Sequence, residues 1–505
     1  MMERHGLLRL GGLIVLLGVL VLAGAGVPAA AQAPGDELLA RFGPAMLPDF
    51  TDDLAAHAHA PHYAIDMTLA LTPTQAVIDG YQRVRYTNRA PDTLDAIVFR
   101  LYPNLESYGG KLLVSRVTVD GQIVTPHLDA TGTVLRVPLP GPLAPGAAAT
   151  LALDYELTVW EGRVRLYAQF SYLDGVLALP NAYPVLSVYE PGNGWWDVTD
   201  HTQGDAVYSA TAFYEVTITA PEDLIFATSG IEIAQHAGAA GTLVHEYVAP
   251  LMRDFAIFAS PHYVTLSGEQ DGTAIRISYD PARINAEFNA FVALRVTQEA
   301  VKLFNATFGA YPFAELDVVQ TPTRAGGVEY PGLFVVGDRL WDENGDNFLF
   351  VIVHETAHQW WYSLVGNDQT LDPWMDEALA QFATALFIRD LEGEASFEAA
   401  METYLAQYSR FLALAADLDR PIGLPASAYD ATSYYYLVYQ KGPLFFGALA
   451  DTYGLEAVLA ALRDYFATYR YRIAEPADML ASFEQSLGAD LDDVFAEWVG
   501  AFPVG

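Results

Sequence analysis

His354, Glu355 and His358 stand in the order H-E-x-x-H, and residue types at that spacing can do metal chemistry. The motif continues an apolar run, Phe348-Leu349-Phe350-Val351-Ile352-Val353, with no Gly or Pro in it. Such a run predicts a helix. Residues four apart on a helix share a face, so His354 and His358 can reach one ion. Glu355 is one step round the same helix, placed to handle a water that the ion activates.

Chance is a poor explanation. With 11 His and 62 acids in 505 residues, two His and one acid at this spacing should occur about 0.03 times per chain. A third candidate ligand, Glu377, follows His358 after eighteen intervening residues, in Trp374-Met375-Asp376-Glu377. Requiring that acid lowers the expectation to roughly a few in a thousand. Gly366-Asn367-Asp368 is expected to end the first helix. Asp372 as N-cap and Pro373 at the first helical position are expected to open a second. Two imidazoles and one carboxylate leave the fourth vertex of a tetrahedral zinc open, which marks a catalytic site rather than a structural one.

Three stretches carry a family likeness. H-E-x-x-H, eighteen residues, then Glu resembles the pattern of the M1 zinc metallopeptidases, the aminopeptidase N group. Gly326-Gly327-Val328-Glu329-Tyr330 looks like that family's G-x-M-E-N exopeptidase motif, with Val for Met and Tyr for Asn. Val438-Tyr439-Gln440-Lys441-Gly442 looks like its V-Y-E-K-G segment. The resemblance implies one zinc per chain on His354, His358 and Glu377, with Glu355 and Tyr439 catalytic. It implies that Glu329, on the Gly326-Gly327 loop, grips the free α-amino group of a peptide. The neighbours Tyr434-Tyr435-Tyr436 compete with Tyr439 for the tyrosine role. Only residues 440–505 follow Tyr439, so a form without the family's long C-terminal helical domain is expected. The expected activity is zinc-dependent aminopeptidase. A zinc endopeptidase on the same scaffold and a non-catalytic binding protein are the alternatives.

The elements that must position these residues fall into two groups. From His62 to about Ser260 short alternating runs such as Arg83-Val84-Arg85-Tyr86, Val117-Thr118-Val119 and Tyr214–Thr219 read as half-buried strands. Pro140-Gly141-Pro142 and Pro191-Gly192-Asn193-Gly194 read as the turns between them. After about residue 265 helical patterning takes over, with an amphipathic stretch from Ala286 to Phe304. The expected fold is therefore α+β. A β-sandwich-like domain at 45–262 precedes a thermolysin-like, mainly helical zinc-peptidase domain at 263–505.

The ends and the composition bound the setting. Arg4 and Arg9, an apolar stretch from Leu10 to about Ala25, and Pro28-Ala29-Ala30-Ala31 read as a signal peptide over 1–31. Export to an extracellular or periplasmic space is expected, with a membrane contact only if that segment stays uncleaved. Cysteine is absent, which excludes disulfides, thiol catalysis and thiolate ligands. The net charge of −36 argues against nucleic acid and suits a peptide with a cationic N-terminus.

Two other clusters look like sites and are read otherwise. His57, His59 and His62 precede a strand in what reads as an exposed, unassembled lead-in. Asp342, Asn344 and Asp346 begin like a calcium loop, but Asn347 and Val353 stand where Gly and Glu are needed.

Overall fold

The computed structural model describes residues 34–162, 167, 169–198, 204, 207–343 and 345–500. The expected signal segment, 1–31, lies outside the described residues, as does Asn344. No described helix is long and apolar enough to cross a membrane.

Period-two alternation builds the first half. In His62–Thr72 the side chains of Tyr63, Ile65, Met67 and Leu69 are buried, and their neighbours face outward. This strand pairs antiparallel with Gln75–Thr87 and parallel with Ala212–Pro221. It lies inside an eight-stranded sheet that runs from Ile231–Ala237 to Gln122–Val124. Two four-stranded sheets and the two-stranded pair Tyr189–Glu190 with Gly194–Trp195 complete this part. Pro140-Gly141-Pro142 does not form the expected turn. It lies within the strand Val134–Leu143, where the pairing register slips between Ala96 and Leu94. On its other side that strand pairs only through Leu135 and Arg136. The prolines therefore sit where no ladder N–H is required of them.

Strand pairing changes partners just past residue 260. Ile257–Ser260 pairs with Val176–Leu179 and Ile225–Thr228 of the first half. Val264–Gln270 instead opens a second sheet of five strands. Its three middle strands, Thr273–Tyr279, Glu315–Thr321 and Leu333–Gly337, are parallel. The helix Ala286–Thr307 makes the first crossover, as parallel pairing demands. Gly327–Tyr330 closes the sheet as an antiparallel edge strand. The rest is mainly helical, with Asp346–Ala357, Trp374–Glu392, Glu394–Ala415 and the helices from Gly442 to Trp498, and one short parallel pair, Val365–Gly366 with Arg472–Ile473. One apolar cluster runs through both halves, from Phe42 to Val499.

Two helix boundaries differ from expectation. The first helix stops at Ala357, not at Gly366-Asn367-Asp368, and His358 is its C-cap. His358 keeps right-handed helical dihedrals, φ −63° and ψ −13°, so it still shares a face with His354. The chain then turns at once, because the Ser363 N–H bonds the His358 carbonyl. The second helix begins at Trp374, with Pro373 as its cap and no side-chain capping bond. Asp372 contributes its carbonyl, to the Met375 N–H, rather than its carboxylate.

The lead-in is also more assembled than its sequence suggests. His57 follows the short helix Asp52–Ala56 and packs edge-on against Tyr471, while His62 bonds Glu215 at 2.8 Å. These imidazoles do not converge on one point, and no metal-sized group among the described residues includes them.

Candidate metal centre

Two helices packed against each other, Asp346–Ala357 and Trp374–Glu392, bring the three candidate ligands together. His354 Nε2 lies 3.1 Å from His358 Nε2 and 3.2 Å from Glu377 Oε2, and His358 Nε2 lies 3.4 Å from the same oxygen. Ligands at about 2.0–2.1 Å from a tetrahedral zinc stand roughly 3.3 Å apart, so the three atoms already span one face of such a tetrahedron. All three residues are buried. His358 Nδ1 meets the Trp361 carbonyl at 3.0 Å, which it can satisfy only by donating. Burial works against a charged imidazole, but the Glu329 charge and the bond to Glu377 raise His358 well above its usual range. Without an ion its Nε2 therefore carries toward Glu377 a proton that a divalent ion would replace. The donor set thus fits a divalent ion.

Charge follows the same geometry. Burial works against the Glu377 carboxylate, but bonds from His354 and His358 hold it down to about 2. Burial lowers His354. Burial and then the neighbouring Glu329 charge push Glu355 well above the usual carboxylate range.

Glycine decides how closely Glu355 can lie. A Cβ on Gly327 would fall 2.5 Å from Glu355 Oε1 and 2.6 Å from its Cγ. Gly326 is tied differently, its carbonyl accepting from the Gly337 N–H. The edge strand they lead into carries Glu329. One carboxylate oxygen each of Glu329 and Glu355 and one nitrogen of His358 lie within 4.8 Å of one another. Gln369 donates Nε2 to Glu329 Oε1 at 2.7 Å.

Tyr439 sits on a π-helical stretch, Tyr435–Lys441, and its hydroxyl donates to Glu377 Oε1. Burial, then the Glu377 charge, raise this phenol far above its usual range, so it stays protonated and can donate. Two of its competitors point elsewhere, while Tyr434 faces the same acids, burial and then the Glu377 charge raising its phenol well above the usual range. Tyr435 bonds Gln407, Tyr436 stacks on Phe411, and Tyr434 packs edge-on against Tyr439 itself. Gln381, on the Glu377 helix, donates to the Tyr439 carbonyl at 3.2 Å.

Sequence reasoning passed over Gln369, Gln381 and the Trp361 carbonyl. Gln369 lies in a polar stretch that reads as a turn, and a backbone carbonyl has no sequence signature. Gln169 was missed too, because it follows an unremarkable strand-like segment; its Nε2 donates to the Tyr330 hydroxyl at 3.2 Å.

Fold and site together define a metallohydrolase scaffold: a mixed sheet, an H-E-x-x-H helix on it, and a carboxylate from the next helix. Residues 292–498 match the peptidase family M1 domain. Aminopeptidase M1-B of Oryza sativa subsp. japonica is 26% identical over 302 residues, 57% of this chain and 34% of that protein. Aminopeptidase N of Streptomyces lividans is 24% identical over 262 residues, 48% of this chain and 30% of that one. The chain thus spans about a third of the length of these curated relatives. An M1 zinc metallopeptidase from Deinococcus radiodurans superposes with a TM-score of 0.64 at 21% identity, covering 88% of this chain and 95% of that one. A variant of it bound to a Tyr-Ser-Ala substrate gives 0.62 at 21%, covering 88% and 96%. At that identity the likeness speaks for the fold.

Proposed function

We propose that this protein is a zinc aminopeptidase that removes N-terminal residues from peptides. His354, His358 and Glu377 would hold the zinc, one per chain. When bound there, it would supply Lewis acidity toward a carbonyl oxygen and lower the pKa of a water in its open position to ~7.

The remaining chemistry belongs to side chains. Glu355 takes a proton from the attacking water and later returns it to the leaving amine. Its buried setting raises its proton affinity toward the range a general base needs at neutral pH. Tyr439 donates its hydroxyl proton in a hydrogen bond to the oxyanion that develops on the substrate. Glu329 pairs with the substrate ammonium group. Gln369 keeps that carboxylate turned by donating to it.

The carrying observation is the position of Glu329, with its oxygen within 4.8 Å of Glu355 and His358 donor atoms. An amino nitrogen and the carbonyl carbon of the same residue are about 2.5 Å apart, from standard bond lengths and angle. An ammonium held by Glu329 therefore brings only the first peptide bond to the reacting groups. The relatives named aminopeptidases support the same reading.

Aminoacyl anilides, with and without an N-acetyl block, test it. Unblocked substrates should be cleaved, cleavage should stop with a chelator, and zinc should restore it. Equal cleavage of blocked substrates would sink the exopeptidase reading. Export is proposed as well, on the basic, apolar and small-residue order of 1–31 alone. N-terminal sequencing of the protein from medium or periplasm would check it.

A further inference from the structure

We infer that the N-terminal half of the chain aims the second histidine ligand, by holding Tyr362 in a backbone conformation that tyrosine disfavours. The inference rests on the metal reading of the same site.

The first link is His358. Its Nε2 faces His354 and Glu377, and its Nδ1 is bound by the Trp361 carbonyl at 3.0 Å. The direction of that carbonyl depends on the peptide plane joining Trp361 to Tyr362, and so on the φ of Tyr362. That angle is +113°. Non-glycine residues rarely adopt such a value, and where they do the surroundings must hold it. Tyr362 is 2% exposed, so its large ring is locked in place as well.

The second link is what does the holding. The Tyr362 N–H bonds the Val365 carbonyl at 2.9 Å, closing a tight loop after the metal helix. Two further ties come from the first half of the chain. Arg253 donates Nε to the Tyr362 carbonyl at 2.7 Å, and the Tyr362 hydroxyl donates to Asp254 Oδ2 at 3.0 Å. Arg253 and Asp254 directly follow the strand Thr242–Met252.

Arg253 is the third link. It is 2% exposed, and its other donors reach the carbonyls of Ser209, Leu364 and Arg472. The planar fork is spent on backbone oxygens from three segments. Burial lowers its pKa to about 10, which leaves it charged at neutral pH. A buried charge and a strained tyrosine are each costly, and they meet one peptide plane away from a metal ligand. Partners that orient the far nitrogen of a ligating histidine commonly set metal affinity by 10–100-fold. Tyr362, Arg253 and Asp254 are therefore positioning residues: the first half of the chain reaches the ion through them.

Two substitutions separate aim from packing. Tyr362→Phe keeps the ring and the strain but drops the tie to Asp254. Tyr362→Gly removes the strain and also the ring. Zinc affinity by chelator competition and the visible absorption of the cobalt(II)-substituted protein are read beside Tm. Phe should bind zinc about 10–100-fold more weakly and shift the cobalt bands, with Tm little changed. Gly should melt lower yet bind zinc within about threefold of wild type, since glycine takes this φ freely. Asp254→Ala should copy Phe, and Asp254→Asn, which keeps an acceptor, should restore affinity. In Phe and Asp254→Ala, kcat should fall with KM held. Unaltered zinc affinity and cobalt bands in Phe and Asp254→Ala would overturn the inference. So would zinc affinity that simply tracks Tm across the series. If Tyr362→Phe does not fold, the Asp254 pair decides by the same readings. A wild-type protein that takes up no zinc would instead overturn the metal reading beneath it.

Discussion

Gly327 and Tyr439 set what single side chains can do in this site. Glu355 lies so close to the edge strand that any Cβ at residue 327 would meet its carboxylate. Gly327→Ala should therefore push Glu355 off its position while leaving the three ligands in place. A displacement of about 1 Å in a catalytic group can cost roughly 10²-fold. We expect kcat to fall by about that factor with zinc stoichiometry unchanged, as steady-state kinetics and metal analysis would report. Tyr439→Phe removes a donor that burial and the Glu377 charge keep protonated. Loss of one such donor costs about 10²–10³ in kcat, and KM for an aminoacyl anilide should hardly move. The clustering of His354, His358 and Glu377 was legible in the sequence, because residues four apart share a helix face and a carboxylate on the next helix can fold back onto it. Gln369 was not, because a glutamine that orients a carboxylate needs only to arrive there in three dimensions.

Elements were legible where a period or a run defined them, and less so at their ends. The H-E-x-x-H helix could be read from its apolar run, but not its stop at Ala357. That stop depends on the Ser363 N–H returning to the His358 carbonyl, and no residue type in the segment announces it. Proline also misled, since Pro140 and Pro142 lie in a strand whose outer side makes no ladder there. The π-helical stretch Tyr435–Lys441 was invisible to a reading by 3.6-residue periods. Such widened turns tend to occur at functional sites. Here the widening accompanies a side-chain bond, Gln381 Nε2 to the Tyr439 carbonyl. Gln381→Leu removes that donor and should let the stretch tighten, drawing the Tyr439 hydroxyl away from Glu377. We expect kcat to drop about tenfold or more, while zinc affinity by chelator competition stays within about twofold of wild type.

Across the whole molecule, acidity is built into the approach to the metal helices and not only into the surface. The chain carries a net charge of −36. Burial raises Asp368 to about 6. Burial, then the charge of Asp368, raises Asp372 to about 7. Burial, then the charge of Glu377, does the same for Asp376. An unfolded chain releases these protons near ~3.9. Between that value and the folded ones the native protein holds more protons than the unfolded chain, so stability falls as pH rises. The stabilising contribution is whole below about pH 4 and gone above about pH 7. Asp372 is the cleanest probe, because it is neither a ligand nor adjacent to one. Asp372→Asn cannot ionise, so it should leave Tm unchanged near pH 4 and raise it by roughly 2–4 °C at pH 8. Thermal melts of metal-free wild type and variant across that range would decide. Parallel curves at every pH would mean that Asp372 carries no folded-state proton, and that water reaches the acids beside the ligand helix more freely than their burial implies.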